Sequence, residues 1–472
     1  FALLTDMQSW TGPEMLRAGV PQVSLLTLES LMSDGYEGLT PSRLANSWDT
    51  DLIQRVARKT VTDADALLPG AKLMLTPAAK PALHVYRAGL SEDPHLSGTL
   101  AAAFADGAHK AGSGRCPDGF YLTDSDVEQL DTEPDMTAIG ELVLKPYMIA
   151  VQGRDCESIL TDLSPLKGRY RNVNADLAAT KNATEICDGA VRLCRPRTDA
   201  ETLAAILDGK VVIKGGSSAL ESAYEKYRYI VKAIEDEIVT VEDLDEAMAD
   251  GSAISDEMLN RAVARVLDFA HALSVIPKQE AEDTELTALR KTALTASAVL
   301  LKNDKELLPI KPKHRVAIIG RPAASSELVE AACTKAGLKV IGRMDGYDPT
   351  AATGGVDTEG VCALAKKADR VLVFLGCSAE ESLRAVQNRE MTIPAVQAEL
   401  LHALGEYRSK TVTVLDCAHA VDMSFATDTA ALLLMSVGGE DGAEALADLL
   451  TGKACPSGKL ASTLYENPSE HF

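Results

Sequence analysis

Aromatic side chains are scarce in this sequence: Phe, Trp and Tyr make up 4% of its 472 residues, and two are Trp. Few ring faces are therefore on offer for stacking against a ligand. Cysteine is present but unorganised, nine residues standing singly with no C-x-x-C pair and no zinc-like spacing. An odd, dispersed set reads as free thiols in a reducing compartment and argues against a disulfide framework. The cytoplasm is thus the expected location, and the sequon Asn182-Ala183-Thr184 is read as accidental. The chain opens at Phe1 in what reads as mid-element, so a missing leader stays open. No apolar run approaches the roughly 18 residues of a membrane span. Basic charge is in deficit, 47 Lys and Arg against 69 Asp and Glu, a net −22 that repels nucleic acid and anionic lipid alike. Neither is an expected partner, and no cofactor or metal is called for.

What is there is an α/β pattern. The length exceeds one compact core and suits two or three domains. Strand-like runs at 22–26, 73–76, 120–123, 159–163, 190–194 and 211–214 are interleaved with helical patterns such as 51–68 and 256–273. Repeated β–α units of this length mean a parallel sheet covered by helices, and their number favours a closed barrel. A polar, acidic stretch at 277–290 reads as a linker. A second α/β series follows, with strands at 315–319, 339–341, 370–375, 411–415 and 431–436 and helices at 327–336 and 396–404. The turn Gly438-Gly439-Glu440-Asp441-Gly442 carries two acids, so it reads as close strand–helix packing and not as a phosphate cradle.

Several stretches, in order along the chain, resemble glycoside hydrolase family 3. Arg17-Ala18-Gly19-Val20-Pro21 resembles "R-x-G-I-P", and 40–49, ending Ser47-Trp48-Asp49, resembles "F-P-x-x-x-x-x-A-x-x-W-D". Leu90-Ser91-Glu92-Asp93-Pro94 matches "F-S-E-D-P" closely. In the second half, Val299-Leu300-Leu301-Lys302-Asn303 with Leu307-Leu308-Pro309 resembles "V-L-L-K-N-x-…-L-L-P". Ile393-Pro394-Ala395-Val396-Gln397 and Pro456-Ser457-Gly458-Lys459-Leu460 resemble "L-P-x-x-Q" and "P-S-G-K-L". The resemblance implies a TIM-like (β/α)8 barrel over 1–276 followed, after the linker, by a parallel-sheet α/β sandwich over 291–472. It also implies a sugar pocket at the barrel's C-terminal face and β-glucosidase chemistry.

That chemistry needs two carboxyl groups about 5–5.5 Å apart, one nucleophile and one acid/base. The family's nucleophile is the second aspartate of "D-G-x-V-x-S-D-W". Aligning Asp188-Gly189-Ala190-Val191 on it places Cys194 at the nucleophile and Arg195 at the Trp, and flanking Arg192 and Arg195 would favour a thiolate there. The acid/base position maps to Arg384, with Glu380 or Glu381 as neighbouring substitutes. The sugar-holding positions map to Thr27, with Glu29 the nearest acid, and to Ala79, with Lys80 beside it. The "K-H-F" stretch falls near Gly119-Phe120-Tyr121, where no Lys or His stands. Pocket candidates are therefore Thr27, Lys80 and Arg195. Asp124 and Asp126 follow an expected barrel strand and could supply acids, although the solvated-loop reading competes.

The leading expectation is a family 3-like scaffold that is catalytically impaired and binds a small carbohydrate, a protein partner or a second copy of itself. The alternative is an active retaining exo-β-glycosidase with acids relocated to Glu29, Asp124, Asp126 or Glu380. A cysteine-based activity at Cys194 has no paired His or Asn to support it.

Overall fold

The computed structural model describes residues 2–7, 11, 17, 19–28, 39–77, 89–118, 137, 140–152, 156–161, 190–196, 198–279, 286–376, 392–417 and 421–466. The chain forms two compact units: Phe1–Leu28, Ala57–Lys80 and Ala101–Ala281 make the first, and Glu29–Val56, Pro81–Leu100 and Glu282–Phe472 make the second.

In the first unit, β1 (Val23–Leu26), β2 (Ala71–Leu75) and β3 (Ser113–Cys116) form one parallel ladder in chain order. β4 (Ser158–Leu160), β5 (Val191–Cys194) and β6 (Val211–Val212) form another. The Leu160 amide donates to the Pro117 carbonyl at 3.1 Å and links the two into one wall. Its core joins Val23, Leu73, Leu75, Cys116, Leu160, Leu193 and Val211. The helices on this unit include α3 (Asp199–Leu207), α4 (Ser218–Glu235), α5 (Val241–Ala249) and α6 (Asp256–Ser274), together with 57–67 of α1 (Thr50–Leu67) and 101–110 of α2 (Pro94–Lys110). Ser255 starts α6 by accepting the Met258 amide at 3.2 Å, and Asp256 and Glu257 sit at the positive end of its dipole. Ala262, Val266, Phe269, Ala270 and Leu273 then form its buried stripe. Gly114 lets this helix approach closely, because a Cβ there would lie 2.3 Å from Leu273 Cδ2.

The strand expected at 120–123 lies outside the described residues. The strand that follows α2 is β3, whose Ser-Gly-Arg-Cys sequence carries little intrinsic strand preference. Tertiary packing forms it: Ser113, Gly114 and Cys116 are buried between helix and sheet.

The second unit holds a six-stranded sheet in the order β7-β12-β11-β10-β8-β9. These strands are β7 (Val299–Asn303), β8 (Arg315–Gly320), β9 (Lys339–Met344), β10 (Arg370–Gly376), β11 (Thr411–Asp416) and β12 (Ala431–Leu434). Five run parallel and read in the sequence as apolar runs. The sixth, β7, pairs antiparallel with β12. Its pattern escapes sequence reading because only Val299 of the five residues is fully buried. Around the sheet lie α7 (Leu286–Ala296), α8 (Ser326–Lys335), α9 (Thr358–Lys367), α10 (Ala395–Ala403) and α11 (Gly439–Thr451). The glycine-rich turn before α11 is filled by a side chain: buried Arg290 donates to the Gly438 carbonyl at 2.9 Å and lies 3.6 Å from Asp441.

The motifs of the N-terminal half that fall in this unit are helix starts and clasps. Asp49 accepts the Leu52 amide at 2.9 Å and caps α1; Asp93 accepts the Leu96 amide at 2.6 Å and, with Pro94 behind it, caps α2. Asn46 accepts the Ala461 amide at 3.0 Å through its side chain, and its carbonyl takes the Lys459 amide at 2.8 Å. Buried Ser91 donates to the Ala461 carbonyl, and Lys459 Nζ sits 5.9 Å from the Trp48 ring centroid. The "W-D", "S-E-D-P" and "P-S-G-K-L" stretches are thus one knot.

At the base of the sheet, Asp369 accepts the backbone N–H, Nε and Nη2 of Arg315 at 2.9, 3.1 and 2.9 Å. These bonds hold its carboxyl well below the usual carboxylate range. A carboxyl depressed in the folded state stabilises it above the unfolded value near 4 and loses that contribution as pH falls through the folded value. Asp369→Ala is therefore expected to melt below the parent at pH 7, with the gap narrowing as pH falls from about 4 toward 2. Melting curves across that range check it; a gap independent of pH would remove the assigned role.

Candidate functional site at the barrel mouth

In a parallel barrel, ligands meet the carboxyl ends of the strands. Here those ends present Thr27 after β1, Thr76 after β2, Asp118 beyond β3, Thr161 after β4, and Cys194 with Arg195 at the end of β5. Thr27 is half-buried and Arg195 exposed. Thr76 is buried; its hydroxyl donates to the Pro77 carbonyl at 3.0 Å and accepts the Asp118 amide at 3.4 Å. The Asp118 carbonyl accepts the Tyr147 hydroxyl, and Thr161 Oγ1 donates to the Leu193 carbonyl at 3.2 Å.

Cys194 is the last residue of β5, 6% exposed and part of the apolar core. Its sulfur donates to the Val211 carbonyl at 3.8 Å, the posture of a protonated thiol. The two arginines flanking it in sequence have other neighbours. Arg192 donates to the Asp208 carbonyl at 3.1 Å, and Arg195 projects to the surface. Cys116, at the end of β3, is held above the ordinary thiol range by burial, opposed by its hydrogen bond with Ser158. Both strand-end cysteines are buried.

Of the residues singled out from sequence, Thr27, Cys194 and Arg195 are described, and the latter two are chain neighbours. Glu29, Lys80, Asp124, Asp126, Glu380 and Arg384 lie outside the described residues. Sequence reasoning passed over Asp118, the carboxylate that follows β3. The signal was hidden because the weakly strand-forming 113–116 segment, which Asp118 follows, was not read as a strand.

A second buried polar centre ends β11 in the other unit. Asp416 accepts the Val437 amide at 2.9 Å and so fixes the turn into α11. Burial raises its carboxyl, and the charge of buried Arg43 opposes the rise. Gln397 of the "L-P-x-x-Q" stretch grips both backbone groups of Gly376 at the end of β10, at 2.9 and 2.8 Å.

The glycosyl hydrolase family 3 C-terminal domain matches residues 298–471. The thermostable beta-glucosidase B of Acetivibrio thermocellus is 26% identical over 99% of this chain and 65% of its own length. Residues 298–471 are therefore a glycosyl hydrolase family 3 C-terminal domain. An exo-alpha-(1->6)-L-arabinopyranosidase of Bifidobacterium longum is 23% identical over 89% of this chain and 57% of its own. The chain thus spans about two thirds or less of these relatives' lengths. Among solved structures, a Bifidobacterium adolescentis GH3 beta-glucosidase superposes with a TM-score of 0.72 at 21% identity, covering 99% of this chain and 70% of that one. A Listeria innocua beta-glucosidase in complex with gluconolactone gives 0.69 at 18% identity, covering 97% and 67%. The fold is accordingly a TIM-like barrel with an α/β sandwich.

Thiol alkylation probes the geometry of Cys194. Exposed Cys455 is expected to react with iodoacetamide in the native protein, whereas Cys194 and Cys116 react only on unfolding. Peptide mass spectrometry over time reads this out; early labelling of Cys194 would contradict its buried placement.

Proposed function

We propose that this chain has a family 3, β-glucosidase-like scaffold whose glycosidase chemistry is impaired, and that it binds a small carbohydrate or a protein instead of hydrolysing glycosides. One observation carries the reading. The residue aligned with the family's nucleophile is Cys194, and its sulfur donates a hydrogen bond to a carbonyl within an apolar core. A covalent glycosyl intermediate needs a carboxylate facing the sugar, partnered by a second acid. Loss of a nucleophile costs about six orders of magnitude in rate in a well-studied hydrolase. The cytoplasm is proposed from the odd, dispersed cysteine set of the sequence, and no helix among the described residues is long and apolar enough to cross a membrane.

A second reading, an exo-β-glycosidase with relocated carboxylates, draws on the similarity to beta-glucosidases over nearly the whole chain and on Asp118 at the end of β3. Glu29, Asp124, Asp126 and Glu380 remain its other candidates. Aryl β-glucosides, xylosides and N-acetylglucosaminides distinguish the two. The impaired scaffold gives turnover no greater than a heat-killed control. Robust hydrolysis, with a 2-fluoro-sugar trapped on an acidic residue, would establish the second reading.

Restoring the aligned pair tests the sugar-holding positions separately. Cys194→Asp with Arg384→Glu is expected to stay inactive, because Thr27 and Lys80 do not reproduce the family's hydroxyl contacts. Cys194→Asp alone should also destabilise the fold by a few kcal/mol, since it buries an acid in an apolar core. Hydrolysis by the double variant at β-glucosidase-like rates would show the pocket to be intact.

A further inference from the structure

A cleft of about 710 Å³ opens in the second unit, lined by none of the strand-end residues described above. It lies between α10, the 3-10 turn Ser424–Asp428 and the 354–358 stretch that leads into α9. Helix α10 turns Val396, Gln397, Leu400 and Leu401 inward, which leaves Ala398, Glu399, His402 and Ala403 on its outer face. These four are two i, i+4 pairs on adjoining rows, so one helix supplies both apolar and ionisable lining. Val356 and Phe425 add apolar surface from the other two walls. This volume, and a mainly apolar lining with a few polar groups, are what small-molecule sites have in common.

The polar groups of the cleft are not used up by the fold. Glu399 Oε2 accepts the Gly354 amide at 2.7 Å, which ties the 354–358 stretch to α10. The other oxygen of that carboxyl makes no hydrogen bond among the described residues, and the side chains of Asp428 and His402 make none either. No Lys or Arg stands among the described lining residues to answer the two acids. Glu399, His402 and Asp428 are not gathered closely enough to share one metal ion.

We propose that this cleft binds an aliphatic diamine or polyamine, with one ammonium on Glu399 and another on Asp428. The lining selects that class. Two carboxylates on different walls call for two cationic heads, and the apolar surface of Ala398, Ala403, Val356 and Phe425 covers the methylene chain that joins them. The Thr358 and Ser424 hydroxyls and the His402 ring are the neutral acceptors for the remaining N–H groups. The net charge of −22 draws cations toward the chain and holds anions off.

Isothermal titration calorimetry with spermidine tests the proposal, at about pH 8, where a free imidazole is neutral, and about 0.15 M salt. The wild type is expected to bind spermidine in a saturable step that an equal concentration of magnesium chloride does not displace. The E399Q/D428N variant should bind at least about tenfold more weakly, since each ammonium loses a charged acceptor. Glu399→Gln keeps an oxygen for the Gly354 amide, and circular dichroism melts confirm that the variant is folded. The E242Q/D245N variant removes the same charge from the exposed side of α5 in the first unit and should bind as the wild type does. A wild type that does not bind would overturn the proposal. Equal weakening in both variants, or displacement by magnesium, would overturn it too, by showing only the general attraction of cations to an acidic protein.

Discussion

The second unit depends on a clasp around one backbone group. The Ala461 amide is taken by the Asn46 side chain, and its carbonyl by the Ser91 hydroxyl and, more loosely at 3.3 Å, by the Glu92 amide. All three residues bring segments from the ends of the chain to one place. A buried peptide unit has to be satisfied on both sides, and no regular secondary structure reaches Ala461. The side chains that satisfy it therefore fix where 41–49, 90–94 and 456–461 lie within this unit. Asp49 and Asp93 act beside the clasp, each starting a long helix from a position the clasp has set.

This explains why the architecture could be read from sequence while the chemistry could not. The stretches that carry the resemblance are short combinations of a cap, a clasp and a proline or glycine, each with a local physical task visible in its own residues. The five parallel strands of the sandwich announce themselves as apolar runs. β3 and β7 do not, because Ser113-Gly114-Arg115-Cys116 is shaped by the helix pressing on Gly114, and Leu300 to Asn303 of β7 are only half-buried at a sheet edge. β3, not read as a strand in the sequence, is also what hid Asp118. The remaining expected acids fall outside the described residues, so the mouth is known from one strand end at a time.

Cys194 shows how a strand end can be part of the core. A carboxylate at a barrel-strand end needs charged or hydrogen-bonding company, or it destabilises the core. A thiol needs neither: it packs with Leu193 and Val211 and spends its proton on a carbonyl. The substitution to Cys is thus compatible with the strand, the ladder and the core all staying in place. Fold similarity to beta-glucosidases and the absence of a carboxylate at that position are not in conflict.

The clasp has a consequence for how the protein comes into being. Asn46 and its partner Ala461 are 415 residues apart, and Ser91 and Ala461 are 370 apart. During synthesis, at about 5–20 residues per second, the early segments of the second unit wait on the order of tens of seconds for the peptide group that completes them. The described strands of the first unit emerge before residue 213, so they can pair while the second unit is still being made.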